Sequence, residues 1–216
     1  MPLPVPNRDD DDDERWVTEQ LPVAIAALTG PGHTLPAAFA GAVDDEPGLY
    51  AVYGNPGVWS QLGLGAPPDE RPLYVGKAED SLLTRDLDTH CTSGDTGRSS
   101  PRRSFAALLA DEHALVAIPR RPENPEPKRW PNYALEAASD DRLTDWMCAQ
   151  LTLAVWPCDQ IRRLGKIERA VMRHWEPPLN LTGVEQPWKQ QVKGARAVMV
   201  HAAKTWARAR GHQVDP

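Results

Sequence analysis

Pro47-Gly48-Leu49-Tyr50-Ala51-Val52-Tyr53-Gly54 opens on a turn pair, runs through five aromatic and aliphatic residues, and closes on Gly54-Asn55-Pro56-Gly57. Apolar and aromatic residues bounded by glycine and proline predict a strand. Leu73-Tyr74-Val75-Gly76 predicts a second. A loop rich in glycine and proline (Gly63, Gly65, Pro67, Pro68) joins the two, and neighbouring strands so joined are most simply antiparallel. Leu151 to Trp156 places Leu151, Leu153 and Val155 on one side, the alternation of a half-buried third strand.

Helical patterns surround these strands. They run over Ser81–Cys91, from Pro101 to about Ala110, over Leu143–Gln150, over Ile161–Trp175 and over Pro187–Arg210. Trp16–Leu28 and Thr34–Val43 predict one or two further short helices. Five prolines between Pro119 and Pro131 predict a surface loop. The expected fold is α/β of the α+β kind: a small three-stranded antiparallel sheet flanked by helices. The expected organisation is an acidic tail over 1–14, a helical extension over 15–46, a core domain over 47–182 and a C-terminal helix over 183–216.

Hydrophobic residues make up 41% of the 216, enough for a sizeable core. No run of about 18 apolar residues predicts a membrane span, and the N-terminus lacks the pattern of a signal peptide. Cys91, Cys148 and Cys158 form no closely spaced pair, which suits small core residues in a reducing, cytoplasmic setting. The net charge of -6 argues at first against a polyanionic partner. Asp9–Asp13 and Glu14 change that, because without residues 1–14 the chain holds 23 basic and 24 acidic residues. Local basic patches can then decide binding. The acidic run reads as a disordered, self-repelling tail, or as a backbone mimic lying over a basic surface.

Three features sit where charge costs stability. Ile161, Leu164, Glu168, Val171 and Trp175 follow one another at helical spacing, so Glu168 lies within an apolar stripe. A carboxylate there is either salt-bridged or a Mg²⁺ ligand, since Mg²⁺ takes one or two carboxylates. Arg102 and Arg103, with Arg98 before them, stand at the start of the helix opened by Pro101, against the helix dipole. They are solvated, or they receive a phosphate together with the free amides. In the last helix Trp188, Val192, Ala195, Met199, Ala202 and Trp206 form an apolar face. Lys189, Lys193, Arg196, Lys204 and Arg208 form a separate basic one, which follows a nucleic-acid backbone or is merely solvated.

Taken together, Gly48-Leu49-Tyr50, Tyr74-Val75-Gly76-Lys77-Ala78, Arg85, His90, Glu168 and Pro177-Pro178-Leu179-Asn180 resemble, in order, the signature of the GIY-YIG nuclease family. The likeness covers roughly residues 47–182. Twenty-three residues separate Tyr50 from Tyr74, so a long loop is inserted relative to the family. His90 falls five residues after Arg85, about 140° around a regular helix, so either the helix loosens there or His90 contributes from another direction.

The resemblance implies a Mg²⁺-dependent endonuclease acting on DNA, with Mn²⁺ as a substitute. It implies that Tyr50 and Tyr74 share a cleft, one of them, Tyr50 by preference, acting as base or orienting the water. A free tyrosine titrates near pH 10, so Lys77 would help by favouring the phenolate. Arg85 would clamp the phosphate and Glu168 would hold the metal. His90 would contact the phosphate or pass a proton, and Asn180 would brace the site. Arg98, Arg102, Arg103 and Gly76 complete the expected substrate contacts, and Trp59 or Trp130 in loops would stack on bases. The alternative is a nucleic-acid-binding module of the same fold with a weakened site.

Overall fold

Strand β2 (Gly48–Gly54) is the centre of the architecture, with strand β3 (Tyr74–Ala78) on one side and strand β6 (Leu151–Pro157) on the other, both antiparallel to it. The computed structural model describes residues 8–30, 32–35, 46–82 and 92–214. The expected three strands form the sheet, and a two-residue strand β1 (His33–Thr34) adds a fourth on the outside of β6, in the order β1-β6-β2-β3. A separate ribbon pairs β4 (Ala117–Ile118) with β5 (Ala134–Leu135). Elements of two residues are too short to show an alternation, so the sequence hid all three of these strands.

The register fixes two faces. Tyr50 stands opposite Gly76 and Val155, Ala51 opposite Val75 and Ala154, and Val52 opposite Tyr74 and Leu153. Side chains alternate along a strand, so Tyr50, Val52, Tyr74 and Gly76 belong to one face and Leu49, Ala51, Val75 and Lys77 to the other. The first face is covered by helix α3 (Ser100–Leu108), helix α4 (Ala137–Gln150) and helix α6 (Lys189–Arg208), through Phe105, Leu143, Met147, Val192 and Met199. The second is covered by helix α1 (Arg8–Leu28) and helix α5 (Ile161–Trp175), through Ala24, Leu28, Leu164, Ile167 and Val171. The result is three layers, helices on both faces of one antiparallel sheet.

Over residues 8–14, α1 stands where the sequence suggested a tail, and residues 1–7 lie outside the described residues. Residues 8–14 form its first two turns, where carboxylates complement the helix dipole. Asp13 then reaches α5, 2.7 Å from both Arg163 and Lys166. The Lys166 ammonium, and next the Arg163 guanidinium, hold its carboxyl below the usual carboxylate range.

The inserted β2–β3 connection carries a short helix, α2 (Pro56–Gln61), capped by the Asn55 side chain. Trp59 meets Trp188 edge-on at 5.5 Å, and the Trp188 indole donates to Leu64 O. The insertion is thus the footing of α6. α6 buries Val192, Met199, Ala203 and Ala207 and leaves Ala202 exposed, so its packed side is rotated from the one expected. The proline-rich segment holds a 3-10 turn (Pro127–Asn132) that buries Trp130. With both indoles in the core, Trp59 and Trp130 are not base-stacking platforms. α4 begins six residues before the expected Leu143 because its first turn buries the polar Ser139 and Asp140, which interrupt the apolar pattern. The second apolar stretch over 34–43 and the helix over 81–91 fall largely outside the described residues. Among those described, no helix is long and apolar enough to cross a membrane.

Candidate active site

Tyr50 and Tyr74 project from adjacent strands on one sheet face, ring centroids 6.1 Å apart. Tyr50 is 2% exposed, whereas Tyr74 is half-buried and the more open of the two. Gly76 explains their arrangement: a methyl group there would lie 2.3 Å from the Tyr50 Oη and 2.4 Å from its Cζ. The ring of Tyr50 therefore lies across a position that admits only hydrogen. Gly76 shapes the site from beneath, in place of the substrate contact expected of it. Gly76→Ala is expected to displace the Tyr50 ring and cost about 1–3 kcal/mol as an overpacking change. A urea melt with near-ultraviolet circular dichroism of the tyrosines checks this.

Lys77 goes elsewhere. Three positions separate it from Tyr74, an odd number, so it leaves the sheet by the opposite face. There it pairs with Glu79 and lies about 3.4 Å from where a Gly165 Cβ would be. The help it was expected to lend the tyrosines is not built.

Asn180 bonds to the backbone of the edge strand. β3 is an edge strand, and the outward amide and carbonyl of Val75 have no strand to meet. The Asn180 carboxamide meets both, accepting from Val75 N at 2.9 Å and donating to Val75 O at 2.8 Å. Leu179 N donates to Leu73 O, so the segment after Pro178 lies along the edge and closes it. Asn180→Ala strands both Val75 groups and is expected to cost about 1–3 kcal/mol. Loss of hydrogen-exchange protection at the Val75 amide checks it.

Glu168 stands on the flank of α5 that overhangs this edge. Gly165, one turn earlier, faces Lys77, and the Met172 sulfur, one turn later, lies 3.1 Å from the Asn180 Nδ2. Residues three and four apart share a helix face, so Glu168 lies between these contacts, half-buried beside Leu164 and Val171. α5 ends at Glu176, whose left-handed φ of 47° turns the chain into Pro177-Pro178 and delivers Asn180 to the edge.

The three expected arginines part company. Arg102 is fully buried and structural: its Nη2 lies 2.5 Å from Asp140 Oδ1, and Thr96 and Thr144 accept from it. No substrate reaches it. Arg98 is exposed and pairs with Asp95 at 3.5 Å, beside Arg120 and Arg121 in a polar cleft of about 260 Å³. Arg103, 8% exposed, points inward, with Nη1 donating to Gly97 O at 3.0 Å. Burial first, and then the neighbouring Arg196, push its pKa down from 12.5 to about 10. The sign is that of a cation held where charge is costly. The penalty is in full force below pH 10 and fades as pH rises toward 12.5. Arg85 and His90 lie outside the described residues.

Arg196 was expected on the solvent face of the last helix. It sits instead on the packed side, four residues after Val192 and three before Met199, with Nη1 3.4 Å from Ser100 Oγ. The signal for it was the one that singled out Glu168, a charged residue within an apolar stripe.

The family model of the GIY-YIG catalytic domain matches residues 68–197, more than half of the chain. The chain belongs to the GIY-YIG family. The match begins after Gly48-Leu49-Tyr50, yet the register sets that tripeptide directly against the matched Tyr74-Val75-Gly76. No curated protein and no solved structure matches the chain significantly. The family is one of nucleases, so nucleic acid is the substrate class of this GIY-YIG chain. A cleft of about 840 Å³ lined by Trp16, Trp156 and Arg163 holds neither signature tyrosine nor Glu168. The signature tyrosines of this GIY-YIG domain lie instead at β2 and the edge strand β3.

Proposed function

We propose that this chain is a metal-dependent endonuclease hydrolysing phosphodiester bonds in DNA. The observation that carries the reading is the convergence on one edge strand. β3, its edge held by Asn180, carries Tyr74 on one face with Tyr50 seated beside it over Gly76, and α5 packs over the same strand from the other face and carries Glu168.

Tyr74, the more open of the two, acts as its phenolate, orienting the attacking water and taking up its proton to become the phenol, while Tyr50 holds it from behind. This reverses the preference for Tyr50 drawn from the sequence, and the reason is exposure. The cations on the tyrosine face are Arg103 and Arg196, which favour negative charge developing there. Arg85 clamps the scissile phosphate and His90 contacts it, roles that rest on the resemblance. The donor set fits Mg²⁺, with Mn²⁺ as its substitute: one half-buried carboxylate, and among the described residues no cluster of three His, Cys, Asp or Glu side chains. Glu168 would hold such a hard cation while water and phosphate oxygens complete its shell. A divalent ion held by Glu168 would supply polarisation of the phosphate and neutralisation of the leaving oxygen.

The test is cleavage of supercoiled plasmid, branched DNA and single-stranded DNA, each with Mg²⁺, Mn²⁺ or EDTA. Cleavage that needs the divalent ion supports the reading. A protein that binds these DNAs in a salt-dependent way and cuts none of them is a binding module, and the catalytic reading falls.

A further inference from the structure

Arg103 and Arg196 form a pair for which the described residues offer no counter-ion. Arg103 is more than nine-tenths buried, and its Nε meets no hydrogen-bond partner. The groups that accept from its Nη1 are neutral, the carbonyls of Gly97 and Thr96. Arg196 approaches Ser100 Oγ at 3.4 Å, and among the described residues no carboxylate pairs with either guanidinium. The charged and phenolic groups that Arg103 feels are Arg196, Tyr133, Arg120 and Tyr74. Those that Arg196 feels are Tyr133 and Tyr74. Burying a cation is expensive unless it is paired, and burying two side by side doubles the difficulty. Arg102, the residue next to Arg103, shows the usual remedy in its contact with Asp140.

Ser100 and Arg103 lie in the first turn of α3, where the helix dipole favours an anion although Ser99 already caps the Arg102 amide. Arg196 comes from α6 on the other side, and Tyr74 stands on the sheet beneath.

We propose that Arg103 and Arg196 clamp a second backbone phosphate of the nucleic-acid substrate, beside the one attacked at Tyr74. The site rests on the nuclease reading for its ligand. An oxyanion seated there supplies the missing counter-charge, accepts from the orphaned Nε of Arg103, and bridges α3 to α6. Its role is positioning. It sets the strand's register over Tyr74, and it explains why an arginine occupies the packed side of the last helix.

Two measurements on the full chain test it. The first is thermal unfolding of the wild type and of Arg196→Gln in sodium phosphate and in sodium chloride at matched ionic strength. Phosphate is expected to raise the wild-type melting temperature above the chloride value, and Arg196→Gln is expected to lose that increment. The second measures DNA binding against salt in a Glu168→Gln background. Adding Arg196→Gln should lower the slope of log K against log salt by about 0.7–0.9, the equivalent of one phosphate. Lys193→Gln, at an exposed position of α6, should leave the phosphate increment untouched. Arg103→Met should repeat the Arg196 result; should this buried variant not fold, Arg196→Gln decides alone. A phosphate increment absent from the wild type, or unchanged in Arg196→Gln, overturns the site. A DNA slope that ignores Arg196 in an enzyme that cuts overturns this proposal and leaves the nuclease reading standing. An Arg196-dependent phosphate increment in a protein that cuts no DNA overturns the catalytic reading and supports the anion site.

Discussion

Glu168→Gln is expected to yield a folded protein whose Mg²⁺-dependent cleavage of plasmid DNA falls at least about 10³-fold, or about 4 kcal/mol of transition-state stabilisation. The reasoning is local. Glutamine has the shape of glutamate, so the flank of α5 beside Leu164, Val171 and Met172 stays filled. The carboxylate is lost, and a carboxamide is a far poorer ligand for a hard divalent ion. Circular dichroism melts of the two proteins should superimpose to within a few degrees while the rates diverge, which separates loss of chemistry from loss of fold. Raising Mg²⁺ or substituting Mn²⁺ should recover part of the rate if weakened metal binding is the defect. A variant that still cuts within tenfold of wild type would remove Glu168 from the chemistry.

Asp140→Ala carries the largest expected cost in stability, about 3–5 kcal/mol, because it removes the carboxylate that faces the buried Arg102 cation. Arg102 is fully buried and Asp140 is 1% exposed. Asp140 accepts from Arg102 Nη2 at 2.5 Å, from Thr96 Oγ1 at 2.6 Å and from Gly94 N at 2.9 Å. One carboxylate thus ties the 94–98 turn to α3 and α4. Domains are stable by about 5–15 kcal/mol in total, so the loss is a large share. Urea denaturation should show the midpoint fall. Arg102→Met combined with Asp140→Leu should lose less than Asp140→Ala alone, since an apolar pair leaves no stranded charge. The cleavage rate of the folded fraction should change little, because neither residue faces the tyrosines. Equal losses in the single and double variants would mean that packing, not the ion pair, carries the stability.

Much of the scaffold was legible in the residues. Alternation and turn punctuation placed β2, β3 and β6, and the spacing of Leu164, Val171 and Trp175 placed α5 over Ile161–Trp175. Glu168 stood out because a carboxylate interrupts that stripe, and the motif order led to the family that the profile match bears out. Lys77 was also legible and was misread, since its odd spacing from Tyr74 already sent it to the far face.

The sequence by itself determined the three long strands, the covered face of α5 and the identities of the two phenols, because those follow from spacing along one element. It could not say which cations were matched. Arg102 and Arg103 are neighbours with identical side chains. A carboxylate 38 residues away neutralises the first, while the second is buried beside Arg196 without one. Nor could it say that Asn180 would satisfy Val75 across 105 residues. Pairings of that kind depend on which elements pack together. Only the tertiary structure decides them, since the energy of a buried charge or an edge amide is set by what the fold places within about 3 Å of it.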